Sequence, residues 1–195
     1  MYEWDPVAEN IYFQSIKDCF NICENNDVLE IAPFLGTHTQ LILSNKPKSV
    51  TLVENDNKWI PKLKQLYTNC DIIENDIFEF IYSNNKKFDV VICCGFLYHL
   101  HHPFCLLELI ANKLQPKYMI IETFDFENLK FIDEYDNKKG ARQVKNMLSC
   151  NLTLSLPINL IQLAISRLNY TRLTYNIVEK PPQGAKAHFM VYQKQ

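Results

Sequence analysis

The chain has 195 residues, enough for one domain with a self-supporting core and too few for two of full size. Twenty basic against 22 acidic side chains leave a net charge of -2, so no global basic field draws in a polyanion, and no disordered linker appears. Seven cysteines, an odd count with several inside apolar runs, argue against a disulfide framework, the Tyr2-Glu3-Trp4-Asp5 start is no signal-peptide n-region, and apolar runs well short of ~20 residues exclude a membrane helix; a soluble, cytoplasmic protein is expected.

A first helix is predicted from Pro6 to Glu24, where Ile11, Ile16, Phe20 and Cys23 approach helical spacing and Pro6 suits the first turn. Residues 1–26 are read as an N-terminal helix or lid, with Tyr2 and Trp4 available to close over a site. Val28 to Ala32 forms a short strand, followed by a loop and a helix from His38 to Leu43. Ser49 to Glu54 is the second strand, Trp59 to Tyr67 the next helix, and Ile72-Ile73 a brief third strand. Phe88 to Cys94 is continuously apolar, as a strand buried on both faces should be.

Pro103 opens a helix to Leu114, and Tyr118 to Thr123 is the fifth strand. Residues 124–156 are irregular and rich in charge, and are read as an inserted substrate cap. Pro157 to Leu168 is a helix. Tyr170 to Val178 and Ala187 to Tyr192 are strands joined by a turn holding Pro181, Pro182 and Gly184, which is too short for a parallel return and so makes them antiparallel. Alternation of strand and helix implies a three-layer α/β fold with a mostly parallel sheet and a C-terminal antiparallel hairpin, in a single domain over 1–195.

In such a sheet, ligands bind at the carboxyl ends of the strands, where strand order reverses. The loop after the first strand, Ala32-Pro33-Phe34-Leu35-Gly36, has small residues at Ala32 and Gly36 but no GxGxxG. A dinucleotide, whose pyrophosphate needs close backbone approach, is therefore disfavoured. A nucleoside without phosphate is not. Glu54, 22 positions after Ala32, is placed to accept from ribose hydroxyls, the alternative being a solvent-facing strand end. Asp76, with Ile77 beside it, suits an adenine amino group or, equally, a turn residue or a helix N-cap before Ile77. Glu30 is a charge inside a buried strand and is a candidate for an amino group.

VLEIAPFLGTHT, VTLVEND, ENDIFEF, FDVVICCGFLYHLHHP and LQPKYMIIET, in that order over Val28 to Thr123, resemble the motifs of class I S-adenosylmethionine (SAM)-dependent methyltransferases. Ala32 and Phe34 stand where that family commonly has glycine. The resemblance implies a seven-stranded Rossmann-like fold, SAM as cofactor, and Glu30, Ala32, Gly36, Glu54, Asp76, Ile77 and Cys94 as cofactor contacts. It also matches Tyr98 and His99 to the family's Tyr-His pair, Tyr98 as a contact and His99 as orienting group or general base. Tyr98, His102, Glu122 and Asp125 are the candidate acceptor contacts.

Methyl transfer is a displacement at carbon, so the protein must align nucleophile and methyl and exclude water, and needs a base only for a protonated acceptor. A metal is not expected. His99, His101 and His102 lie near Cys93 and Cys94, but there is no CxxC or HExxH, and adjacent strand residues point to opposite faces. For His101 and His102, capping the helix at Pro103 is the simpler role. A small-molecule acceptor is favoured on charge. The GFLYHLHHP loop resembles wobble-uridine-modifying tRNA enzymes, making RNA the first alternative, and a SAM-binding partner subunit without catalysis the second.

Overall fold

The computed structural model of the chain describes residues 6–125, 157–180 and 185–195. Helix α1 (Pro6–Ile16) runs into a 3-10 stretch, Lys17–Cys23, so the predicted first helix is two segments. There follow β1 (Asp27–Ile31), α2 (Thr37–Ser44), β2 (Ser49–Glu54), α3 (Ile60–Leu66) and β3 (Asp71–Glu74). A short helix, α4 (Ile77–Ser83), which the sequence raised only as an alternative role for Asp76, precedes β4 (Val90–Cys94). A 3-10 turn, Leu97–His99, leads to α5 (Pro103–Leu109), which ends in a π turn, Ile110–Leu114. Then come β5 (Tyr118–Asp125), α6 (Ile158–Arg167), β6 (Tyr170–Lys180) and β7 (Ala185–Lys194). The proposed lid residues Tyr2 and Trp4 lie outside the described residues; of the proposed cap 124–156, the first two residues extend β5 instead and the rest lies outside the described residues.

The seven strands form one sheet in the order β3-β2-β1-β4-β5-β7-β6. β1 to β5 are parallel, and β7 inserts antiparallel between β5 and β6. This is the mostly parallel sheet with an antiparallel hairpin that the sequence implied. β1 and β4 show why the strands read as unbroken apolar runs: helices cover both faces, and Val28, Leu29, Val90, Val91, Ile92 and Cys93 are all fully buried. Alternate side chains divide between two cores. Leu29, Val91 and Cys93 join α4, α5 and α6 on one face; Val28, Val90, Ile92 and Cys94 join α1, α2 and α3 on the other. Strand order reverses between β1 and β4, which opens the crevice at their carboxyl ends.

Candidate functional site

One side of the crevice is built from backbone. In the loop after β1, Ala32, Phe34 and Gly36 all have positive φ, +52°, +57° and +76°. Only glycine takes such angles freely; the left-handed helical conformation costs an L-residue roughly 1–2 kcal/mol. The loop is fixed by hydrogen bonds from Ala32 N–H to the Val53 carbonyl (2.9 Å), Phe34 N–H to Glu54 Oε2 (3.1 Å) and Gly36 N–H to the Pro33 carbonyl (2.8 Å). Ala32 and Phe34 thus hold the turns that glycines would, without being glycines. Gly36 has no such latitude. The Tyr67 hydroxyl donates to its carbonyl at 2.6 Å, and a Cβ there would fall 2.2 Å from Tyr67 Cε2.

Two buried carboxylates flank this loop. Glu54, at the tip of β2 and 5% exposed, accepts from three backbone N–H groups: Phe34 on Oε2, and Asn55 (2.9 Å) and Asp56 (3.0 Å) on Oε1. A carboxylate has about four acceptor directions, so Oε2 retains capacity for a ligand hydroxyl. Glu30, 2% exposed within β1, accepts from the Thr39 hydroxyl at 2.6 Å. Burial pushes its carboxyl up to about 7; the Thr39 bond opposes that rise and the Glu54 charge adds to it. Phe34 neither enters the core nor closes the loop over itself. It is half exposed and packs on Trp59, ring centroids 4.2 Å apart, with Lys58 and Lys62 over the indole.

The other side is built from side chains. Tyr12 of α1 is 1% exposed and donates to Glu122 Oε1 at 2.5 Å, reaching across the sheet tips to β5. Its oxygen also lies 3.1 Å from His38 Nε2. Because the single hydroxyl proton goes to Glu122, the arrangement calls for the His38 tautomer that donates from Nε2. Burial and the Glu122 charge hold the Tyr12 phenol well above its usual pKa, so it remains a donor. His38 is ringed by Phe20, stacked at 6.1 Å, and by Phe13 and Phe189. Tyr98 and Glu122 meet over Gly95: a Cβ built there would lie 3.4 Å from Tyr98 Oη and 3.5 Å from Glu122 Oε2. Tyr98 is also raised far above its usual range by burial and the Glu122 charge. This set can take a hydrogen bond or a proton from a bound N–H or O–H group and return one through a phenol.

The sequence-predicted residues divide accordingly. Glu30, Ala32, Gly36 and Glu54 surround the loop, and Cys94, Tyr98 and Glu122 meet at the tips of β4 and β5. Asp76 is the N-cap of α4, its Oδ1 accepting from Phe78 N–H (2.8 Å) and Glu79 N–H (3.2 Å), so the capping role is realised and Oδ2 alone remains for a ligand; Ile77 beside it is buried. His99 lies on the exposed side of Tyr98, ring centroids 4.3 Å apart, and partial burial lowers its pKa. His102 is exposed at the N-cap of α5, where its side chain makes no capping hydrogen bond. Asp125 ends β5 opposite Lys186, and its side chain lies outside the described residues. Sequence reasoning missed Tyr12, His38, Thr39, Tyr67 and Gly95. His38 and Thr39 lie inside the quoted GTHT segment, where spacing was a usable signal; Tyr12, 110 positions from Glu122, gave none.

The family described as ribosomal RNA adenine dimethylase matches residues 7–120. A "Ribosomal RNA small subunit methyltransferase A" of Malacoplasma penetrans is 36% identical over 81 residues, 42% of this chain and 29% of that protein. A "tRNA U34 carboxymethyltransferase" of Nautilia profundicola is 32% identical over 112 residues, 54% of this chain and 36% of that protein. The matches therefore span about a third of the length of these relatives. Among solved structures, the SAH-bound magnesium protoporphyrin IX methyltransferase of Synechocystis PCC 6803 superposes with TM-score 0.71 at 11% identity, over 100% of this chain and 90% of that one. The N-methyltransferase NodS of Bradyrhizobium japonicum WM9 gives 0.70 at 12% identity, over 97% and 98%. The fold is that of class I SAM-dependent methyltransferases.

Proposed function

This chain belongs to the ribosomal RNA adenine dimethylase family, and from that premise we propose that it transfers a methyl group from SAM to a nucleobase of RNA. The observation that carries the reading is the β1 loop: three left-handed residues, with the Phe34 N–H tied to the buried Glu54 carboxylate, leave a loop at the crevice that has no phosphate cradle. In this reading the ribose donates to Glu54 Oε2, and the methionine amino group meets Glu30. The adenine lies beside Ile77, with its amino group toward Asp76. The methyl then points to the tips of β4 and β5, where Tyr98 and Glu122 receive the acceptor and His99 contacts it from the rim.

RNA is chosen over a small molecule because the family and the curated relatives named above, an rRNA and a tRNA enzyme, agree on that class. The net charge of -2 is no obstacle if the contact is local. Lys58 and Lys62 beside Trp59 and Phe34 supply a cationic, aromatic edge next to the crevice. The small-molecule reading remains the rival on charge.

The test is transfer of labelled methyl from SAM to total RNA and, separately, to a small-metabolite extract. Label in nuclease-sensitive material supports the proposal. Label only in the metabolite fraction overturns the RNA acceptor, and SAM binding with no transfer to either favours the partner-subunit role.

A further inference from the structure

His38, Cys94 and Glu122 come from three elements, α2, β4 and β5, yet one ligand atom of each lies within 4.8 Å of the other two. Cys94 is 8% exposed, Glu122 is fully buried and His38 half-buried. Nothing in the methyl-transfer reading uses the imidazole or requires a thiol. From this convergence we infer that the three side chains form a binding site for a divalent cation of the zinc class, at the acceptor end of the crevice.

The donor set decides the class of ion. One nitrogen, one sulfur and one carboxylate oxygen suit a borderline cation, whereas magnesium and calcium take oxygen ligands. Three protein ligands with one position left open is the pattern of a reactive rather than a structural zinc site. Zinc–ligand distances of about 2.0–2.3 Å put ligand atoms roughly 3.2–3.8 Å apart. The ligand atoms, all within 4.8 Å of one another, are therefore at most about 1 Å wider apart than such a site requires. Tyr12 is the outer partner that orients the carboxylate, through its bond to Glu122 Oε1.

The location also differs from the one the sequence suggested. His99, His101 and His102 are exposed, and Cys93 points into the opposite core from Cys94. The histidine that reaches the thiol is His38. An ion there would face the acceptor across the tips of β4 and β5 and would favour loss of a proton from an acceptor group bound at its open position.

The experiment titrates the full chain with Zn²⁺ by calorimetry, in competition with a chelator, and with Co²⁺ by absorption, without SAM or acceptor. We expect one ion per chain and a thiolate-to-cobalt charge-transfer band in the near ultraviolet. Cys94→Ser should remove that band and weaken Zn²⁺ by at least about 100-fold, because outer-partner changes alone cost 10–100-fold. His38→Gln should weaken it comparably, Tyr12→Phe by about tenfold, and His101→Ala not at all. Absence of stoichiometric binding, or Cys94→Ser binding as the parent does, overturns the site. The wild-type cobalt spectrum decides the matter even if a variant fails to fold, since a spectrum lacking the thiolate band also overturns it. Neither readout depends on SAM or on turnover, so failure here leaves the methyltransferase reading standing.

Discussion

The two sides of the crevice are made by different means. Around the β1 loop, main-chain N–H groups and fixed backbone angles hold Glu54 and Gly36 within a segment of about two dozen residues. At the tips of β4 and β5, side chains from α1, α2, β4 and β5 hold one another, with Tyr12 and Glu122 110 positions apart. The first side resists change because its geometry is nearly local. The second can be retuned one side chain at a time, as suits the part of a transferase that must differ between acceptors.

That contrast can be broken most forcefully at Gly36. Gly36→Ala should destabilise the fold by about 2–4 kcal/mol, since a Cβ there meets the Tyr67 ring in a left-handed turn. Urea unfolding measures it, and a midpoint equal to the parent's would show the loop to be pliable. Next, Glu54→Ala should weaken SAM by about 1–3 kcal/mol, the usual loss for a charged hydrogen-bonding group. Calorimetry reads this directly, and an unchanged affinity would move the ribose elsewhere.

The smallest effect expected is a pH dependence on the backbone-built side. Glu30 has a folded pKa raised to about 7, so the folded state holds its proton more tightly than the unfolded one. Its contribution to stability is complete below the ordinary glutamate range, declines as pH rises, and is lost beyond about 7. SAM affinity should run the opposite way, because only the carboxylate pairs with an ammonium. A fall of about tenfold between pH 8 and pH 6 is expected from the ionised fraction. Glu30→Gln should flatten both profiles, and a profile that survives that substitution assigns the proton to another group.

Legibility in the sequence followed the same divide. The strands, their parallel order and the hairpin were readable because both-face burial leaves unbroken apolar runs and a short turn dictates direction. The positions of Glu30, Gly36 and Glu54 beside the loop were readable because one is a charge inside a buried strand, one a small residue in the loop after it, and one the end of the next strand. Helix α4 was raised only as an alternative because seven residues between two loops carry little periodicity, and Asp76 was ambiguous because a cap and a ligand contact demand the same residue type. Phe34 stood out as a departure from glycine because sequence shows its bulk but neither its positive φ nor its packing on Trp59. Tyr12 was invisible because nothing local marks which residue of an N-terminal helix will meet a glutamate on the fifth strand.

The position of β7 has a kinetic consequence. It fills the gap between β5 and β6, pairing Tyr118 with Gln193, so the interior of the sheet is completed by residues far from β5 along the chain. Contacts that span 61 to 75 positions, from Asp125 with Lys186 to Tyr118 with Gln193, must form before the hydrophobic layer can seal. Refolding should therefore be slow for a chain of this size and should respond to substitutions in the last strand more than to those in α3.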